Sequence, residues 1–139
     1  MYLTKKLYIW QDKRKKLKLT GLPVRVNPKE IKQIEAEAGY WRKANAIHGW
    51  FVDHVQGGVD ECQEAYVSRK QLQELLDTVN KVMEDHSLVD ELLPLRDGFF
   101  FGSRQIDDSY FESLKDTQKI LTKALKAPED WEFYYQSSW

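Results

Sequence analysis

The mixture of apolar and polar residues at the start of the chain predicts a β-hairpin. Residues 2–10 combine aromatic and β-branched side chains with polar ones and contain no Gly or Pro, which is typical of a strand. The charged run at 12–16 interrupts this pattern and is predicted to be a solvated hairpin tip. Residues 17–26 then supply the return strand, which Gly and Pro break near 21–23. The hairpin is therefore expected to be irregular.

A first helix is predicted directly after this hairpin. Asn27 precedes Pro28, and this pair has the chemistry of a helix N-cap followed by Pro at the first helical position, where a missing N–H costs nothing. The helix is expected to run over about 28–38 and to end at Gly39.

A second helix is predicted over 41–55, where apolar residues recur with the period of an α-helix. One stripe of this segment contains Trp41, Ala44, Ile47, His48, Phe51, Val52 and Val55. The glycine pair at 57–58 ends the helix, and the acidic residues 59–64 have no clear period and are predicted to form a loop.

The helix predicted over 69–85 has the strongest pattern in the chain. Ser68 and Gln71 form a capping-box pair, in which each side chain satisfies a backbone donor near the other. The apolar stripe consists of Leu72, Leu75, Leu76, Val79, Val82 and Met83. Ser87 is predicted to cap a further short helix that ends at Leu93, before Pro94.

A last helix and an aromatic strand complete the predicted elements. Asp107 or Asp108 begins the helix, whose apolar face carries Tyr110, Phe111, Leu114, Thr117, Leu121 and Leu125. Residues 131–139 are aromatic to the end and are predicted to dock as a strand in the sheet. Residues 99–101 are three phenylalanines, expected to form a buried strand or a packed loop.

These elements predict the α+β class, with a small antiparallel sheet, made of the N-terminal hairpin and the C-terminal strand, packed against about four helices. The chain has 139 residues, which suits one domain over 1–139. It contains no apolar run long enough for a membrane span and no secretory signal at its start. With a single cysteine, Cys62, the composition favours a cytoplasmic protein without disulfides.

Charge is divided unevenly along the chain. Residues 1–43 contain twelve Lys or Arg and four Asp or Glu, whereas residues 44–139 contain nine and eighteen, so the two parts carry net charges of +8 and −9. Two interpretations follow: the basic part neutralises the acidic part within the fold, or it forms a surface that attracts phosphates or nucleic acid.

Common catalytic signatures are missing from the sequence, which favours a non-enzymatic protein with no cofactor. It has no G-x-S-x-G, P-loop, G-x-G-x-x-G, H-E-x-x-H or C-x-x-C motif. His48 and His54 are six residues apart, which does not place them together on one helix face as metal ligands. A thiolate pair of Cys62 with either histidine is a remaining alternative.

Recognition-type residues are concentrated at 40–51, where cations and aromatics are interleaved with an amide and an imidazole. One interpretation is that the aromatics and His48 form core while the cations are solvated. The other is a pocket for a nucleotide, because aromatic rings stack on bases and guanidinium groups bind phosphates. The predicted ligand-binding residues are Trp41, Arg42, Lys43, Asn45, His48, Phe100, Ser103, Arg104, Tyr135 and Gln136.

Three motifs resemble a family of small uncharacterised proteins encoded by bacteriophages and prophages. They are Tyr-Trp-Arg-Lys-Ala-Asn-Ala-Ile-His at 40–48, Gly-Phe-Phe-Phe-Gly-Ser at 98–103 and Phe-Tyr-Tyr-Gln-Ser-Ser-Trp at 133–139. The resemblance implies an accessory protein that antagonises host defence.

Three mechanisms fit that implied role. In the first, the pocket sequesters a nucleotide-derived signal. In the second, the acidic loop at 60–64 or the acidic helix faces bind a host defence protein such as a nuclease. The third, nucleic-acid binding through the lysines at 13–18, ranks lowest, and self-association is left open.

Overall fold

A four-stranded antiparallel sheet organises the protein, in which β1 and β4 are central and the strand order is β2-β1-β4-β3. The structure is a computed structural model that describes residues 1–10, 21, 25–96 and 105–138. The strands are β1 (Tyr2–Tyr8), β2 (Gln33–Tyr40), β3 (Ala65–Val67) and β4 (Trp131–Gln136). The first strand pairs with β2 and β4, and β4 also pairs with β3. The predicted α+β class, N-terminal hairpin and C-terminal strand are confirmed.

Helices cover one face of this sheet. Within the described residues they are α1 (Asn45–His54), α2 (Arg69–Glu84), α3 (Val89–Leu92) and α4 (Asp108–Leu125). None of these helices is long and apolar enough to cross a membrane.

The predicted starts of two helices, α2 and α4, are confirmed by their capping residues. Ser68 and Gln71 form the predicted capping box at the start of α2. Asp107 caps α4 by accepting a hydrogen bond from the Tyr110 N–H. The predicted cap at Ser87 is wrong: the carboxylate of Asp85 accepts from the Ser87 N–H and begins a short 3₁₀ turn that leads into α3. An ionised carboxylate two residues upstream is a stronger acceptor for this N–H than a hydroxyl.

The helix predicted over 28–38 is also wrong. Asn27 caps a single 3₁₀ turn, Pro28–Glu30, and the chain then enters β2. The apolar residues Ile34, Ala36 and Ala38 alternate with glutamates, and this period of two matches a strand with one covered face. Pairing with β1 stabilises that alternative, so β1 finds its partner at 33–40 rather than at 17–26. The predicted hairpin tip, most of 17–26 and the phenylalanines at 99–101 lie outside the described residues.

The core lies between the helices and the inner face of the sheet. Leu3, Val67, Phe133 and Tyr135 project from three strands and are at most 1% exposed. They pack with fully buried side chains of the helices, among them Ile47, Phe51, Leu72, Leu75, Leu114 and Leu121. All residues of α1 from Asn45 to Val52 are buried, so the helix runs through the interior rather than along the surface.

Two glycines allow close contacts across this core. A Cβ atom on Gly39 would lie 2.2 Å from Cγ2 of Ile120, so β2 and α4 meet at this point. A Cβ atom on Gly49 would lie 2.6 Å from Nε of Arg96, and the Arg96 side chain crosses α1 here to form an ion pair with Asp53. The glycine inside the 41–55 pattern therefore makes room for a side chain of the same protein.

Candidate functional site

A cleft of about 260 Å³ opens where α1 and α4 begin, and we call it the α1–α4 cleft. Its walls come from three parts of the chain: the loop before α1, the residues flanking 97–104, and the first turns of α4. The lining residues are Arg42, Lys43, Ala44, Asn45, Ala46, Leu95, Gln105, Ser109, Tyr110 and Ser113.

The loop that carries the two cations is anchored on both sides. Trp41 is buried, its indole Nε1 donates to Thr117 Oγ1 at 2.9 Å, and its backbone N–H donates to the Met1 carbonyl. Lys43 adopts a left-handed backbone conformation, with φ at 56°. Ala44 then begins α1 as a buried N-cap residue. Arg42 and Lys43 are thereby held at the surface between two buried neighbours.

Positive potential in the cleft is not neutralised by the described part of the protein. Arg42 and Lys43 are exposed, and neither forms an ion pair with another described residue. Ala44 supplies no side-chain cap, so the N–H groups of the first turn of α1 receive no side-chain acceptor from it. The positive end of the helix dipole therefore adds to the charge of both side chains.

Hydroxyl groups of α4 form the opposite wall. Ser109 and Ser113 are four residues apart, and their hydroxyls donate locally, to Asp107 Oδ1 and to the Tyr110 carbonyl. The phenol of Tyr110 donates to the Leu93 carbonyl at 2.8 Å. Burial raises the pKa of Tyr110 to about 12, so its phenol keeps its proton at neutral pH.

A second cleft, of about 200 Å³, shares Arg42, Ala44, Ser109 and Ser113 with the first, and we call it the Tyr40 cleft. Tyr40 is 47% exposed at its edge, with its ring 5.1 Å from that of Tyr2. The carboxylates of Glu112 and Asp116 also line it. Arg42 therefore stands between a cationic cleft and one with an aromatic ring and two acidic groups.

Asn45 has a structural task beside the cleft. Its amide donates to the Arg96 carbonyl at 2.7 Å and accepts from the Arg96 N–H at 2.6 Å. This pair of hydrogen bonds holds the chain after α3 against the start of α1. Asn45 therefore shapes the cleft, and its polar atoms are already engaged.

A separate polar chain lies inside the core. Nδ1 of His48 is 2.6 Å from the hydroxyl of Tyr135, and Nε2 is 2.9 Å from Oδ2 of Asp60. Because an ionised carboxylate only accepts hydrogen bonds, Nε2 carries the proton that is donated to Asp60. The Tyr135 ring stacks on Phe51 at 3.9 Å. Burial, and then the charge of Asp60, raise the pKa of Tyr135 well above its usual range, so it remains a phenol.

The predicted ligand-binding residues thus do not come together in one site. Arg42, Lys43 and Asn45 line the α1–α4 cleft, and Trp41 forms a buried wall of the Tyr40 cleft. His48 and Tyr135 are in the core, whereas Gln136 is exposed and donates to the Cys62 carbonyl. Phe100, Ser103 and Arg104 lie outside the described residues.

Sequence reasoning missed the α4 side of the clefts and the partner of His48. The spacing of Ser109 and Ser113 by four residues, directly after the Asp107 cap, was the available signal. No sequence signal linked Asp60 to His48, since Asp60 lies in the loop after α1, which has no regular structure.

Chemistry at Cys62 and the other histidine has little geometric support. Nδ1 of His54 lies 2.9 Å from the Trp50 carbonyl, and its ring stacks on the Trp50 indole. Cys62 is half-buried with φ at 58°. Among the residues that the structure describes, no three His, Cys, Asp or Glu side chains cluster as a metal site would require.

Comparisons with known proteins returned no match to a family model, to a curated protein or to a solved structure.

Proposed function

We propose that this protein binds a small phosphate-bearing nucleotide across the α1–α4 cleft and the Tyr40 cleft, and acts by sequestering it. The observation that carries the proposal is the pair of exposed cations, Arg42 and Lys43, at an α-helix start whose N-cap residue offers no side-chain acceptor. The resemblance to phage-encoded proteins suggests the setting, in which the ligand is a nucleotide-derived signal of host defence.

The α1–α4 cleft suits the phosphate. A guanidinium group binds phosphate through two parallel hydrogen bonds, and an ammonium group adds a second positive charge. The N–H groups in the first turn of α1 point in the same direction as the helix dipole, which favours an anion there. Ser109 and Ser113 line the same space from α4.

The Tyr40 cleft suits the remainder of a nucleotide. The carboxylate of Glu112 can accept hydrogen bonds from ribose hydroxyls or from exocyclic amino groups, and that of Asp116 can do so beside its ion pair with Lys119. Tyr40 offers an exposed ring on which a base can stack. Pockets for small molecules typically measure about 300–1,000 Å³, so the two clefts together suit a mononucleotide or a cyclic nucleotide better than either does alone.

Sequestration fits the side chains better than turnover does. The described lining of both clefts contains cations, hydroxyls and carboxylates, whereas His48 and His54 are engaged elsewhere. The alternative, inhibition of a host protein through loop 60–64, has less support because two of its carboxylates already have partners. Asp60 contacts His48, and Glu64 contacts Lys6.

A thermal-shift screen followed by calorimetric titration tests the proposal. Mono-, di- and cyclic nucleotides and inorganic phosphate are tested against the wild-type protein, since a ligand at 100 times its Kd stabilises the fold by about 2.7 kcal/mol. The double variant R42A/K43A should lose the shift while keeping its own melting temperature, because both side chains are exposed. The matched control K70A/K81A removes two exposed cations from α2 and should bind like wild type.

A third variant separates a nucleotide site from a simple anion site. Tyr40→Ala should weaken nucleotide binding and leave phosphate binding unchanged, because only the nucleotide reaches the ring. If R42A/K43A binds every ligand as tightly as wild type does, or if no compound shifts the melting temperature, the proposed site is wrong.

A further inference from the structure

The face of the sheet that the helices do not cover is lined by tyrosines and carboxylates, and we call it the open sheet face. Register places its side chains in rows across the strands: Tyr2 beside Tyr40, Lys6 between Glu35 and Glu132, and Tyr134 beside Tyr66. The other positions on this face are Thr4, Tyr8, Gln33, Glu37, Glu64 and Gln136.

Large aromatic rings on this face are unusually accessible. Tyr2, Tyr8, Tyr40 and Tyr66 are between 39% and 56% exposed. Tyrosine is enriched in protein interfaces because its ring is rigid and apolar while its hydroxyl forms hydrogen bonds. Contiguous exposed rings of this kind mark an interaction surface more often than scattered ones do.

The described side chains of the open sheet face carry a net negative charge. Among the residues that the structure describes, this face carries the four carboxylates of Glu35, Glu37, Glu64 and Glu132 and one ammonium group, that of Lys6. Nζ of Lys6 lies 2.5 Å from Glu64 and 3.8 Å from Glu35, and the hydrogen bond to Glu64 raises the pKa of Lys6. Even with Lys6 neutralising one carboxylate, the described side chains of this face keep an excess of negative charge.

Several contacts hold the central rings in place before any partner binds. Nζ of Lys6 sits 4.4 Å from the centre of the Tyr134 ring, and the Tyr134 hydroxyl donates to Glu132 at 2.8 Å. Tyr66 packs edge-on against Tyr134 at 5.7 Å. Side chains that are already ordered lose less conformational entropy on binding, which favours affinity.

We propose that the open sheet face docks a protein partner through a basic surface rich in arginine. Guanidinium groups match this face in two ways, since they pair with carboxylates and stack on aromatic rings. The negative charge argues against nucleic acid and against an anionic membrane. It also opposes a symmetric dimer, in which the same carboxylates would face each other.

A nona-arginine peptide is the defined probe for this surface. Titration into ¹⁵N-labelled protein, followed by backbone NMR shifts, should perturb the strands at Lys6, Tyr66 and Tyr134. Shifts concentrated instead on the acidic solvent face of α2, around Glu74 and Asp77, would overturn the proposal, as would an absence of binding at millimolar peptide.

One variant tests the rings separately from the charges. Tyr66→Ala leaves the charge unchanged, and this side chain is 56% exposed, so the fold should tolerate its loss. Peptide affinity should fall by about five- to thirtyfold, the usual range for losing an interface aromatic. If Tyr66→Ala binds the peptide with wild-type affinity, the interaction is nonspecific charge attraction and the proposal is wrong.

A matched pair of controls separates this surface from the clefts. Gln73→Ala changes an exposed residue of α2 and should leave peptide binding unaltered. R42A/K43A should also bind the peptide at least as well as wild type, while Tyr66→Ala should keep any nucleotide-induced thermal shift. Tyr40 belongs to both the Tyr40 cleft and the open sheet face, so the two proposals are separated by R42A/K43A and Tyr66→Ala, each of which changes only one of the two surfaces.

Discussion

Replacing Tyr135 by Phe removes one hydroxyl from the core and changes little else. The ring is fully buried and stacks on Phe51 at 3.9 Å, so Phe keeps its shape and its apolar contacts. The lost hydroxyl lies 2.6 Å from Nδ1 of His48, a side chain that is only 2% exposed. The variant therefore deprives a buried nitrogen of this partner without creating a large cavity.

The expected cost follows from that geometry. Leaving a buried polar atom without its hydrogen bond costs about 1–3 kcal/mol, whereas the transfer energy of the ring is nearly unchanged. We expect the free energy of unfolding to fall by about 1–3 kcal/mol. Urea denaturation monitored by tryptophan fluorescence measures this, and the dependence of the free energy on urea should not change.

Two further variants sharpen the test. Tyr66→Phe removes a hydroxyl from an exposed ring and should change stability by less than about 0.5 kcal/mol. A double-mutant cycle of Tyr135→Phe with Asp60→Ala should give a non-additive result, because both side chains hold the same imidazole. A loss below about 0.5 kcal/mol in Tyr135→Phe, or strict additivity in the cycle, would refute the structural role assigned to His48.

Two other predictions concern the contact between β2 and α4 and the behaviour at high pH. Gly39→Ala should destabilise the protein by about 1–3 kcal/mol in urea denaturation, because the new methyl group meets Cγ2 of Ile120. In a chain that already carries Ile120→Ala, the same substitution should destabilise the protein less. If Gly39→Ala lowers the free energy of unfolding equally in the wild-type chain and in the Ile120→Ala chain, this explanation is wrong. Burial raises the pKa of Tyr110 from its ordinary value of 10.0 to about 12, so the folded protein keeps a proton that the unfolded chain releases. The contribution of Tyr110 to the free energy of unfolding is present below pH 10 and is lost between pH 10 and 12. Between these pH values the free energy of unfolding of Tyr110→Phe should therefore fall less steeply than that of the wild type. An equal slope in the two proteins would contradict the prediction.

Local chemistry explains why parts of the fold could be predicted from sequence. The capping box of Ser68 and Gln71 and the apolar period after it determine α2 within a few residues, and Asp107 does the same for α4. The alternating aromatics at 131–136 similarly determine β4. In each case the residues that specify the element are neighbours in sequence.

Segment 28–40 shows where local signals were insufficient. Asn27 and Pro28 do begin a helical turn, but the alternation at 33–40 supports a strand once β1 is beside it. β3 has only three residues and exists through its pairing with β4. Strand pairing depends on residues far apart in the chain, so a single segment cannot reveal it.

The candidate site depended on tertiary structure in the same way. The sequence alone determined that cations, aromatics and polar groups are concentrated at 40–51 and that α1 is largely apolar. Only the fold decided that Arg42 and Lys43 lie at the surface beside the start of α4. It also decided that His48, six residues after Arg42, contacts Tyr135 and Asp60 in the core. Arg42 and Lys43 lie in the loop before α1 and stay at the surface, whereas α1 itself is buried by elements that are distant in the sequence, so a local pattern cannot reveal the difference.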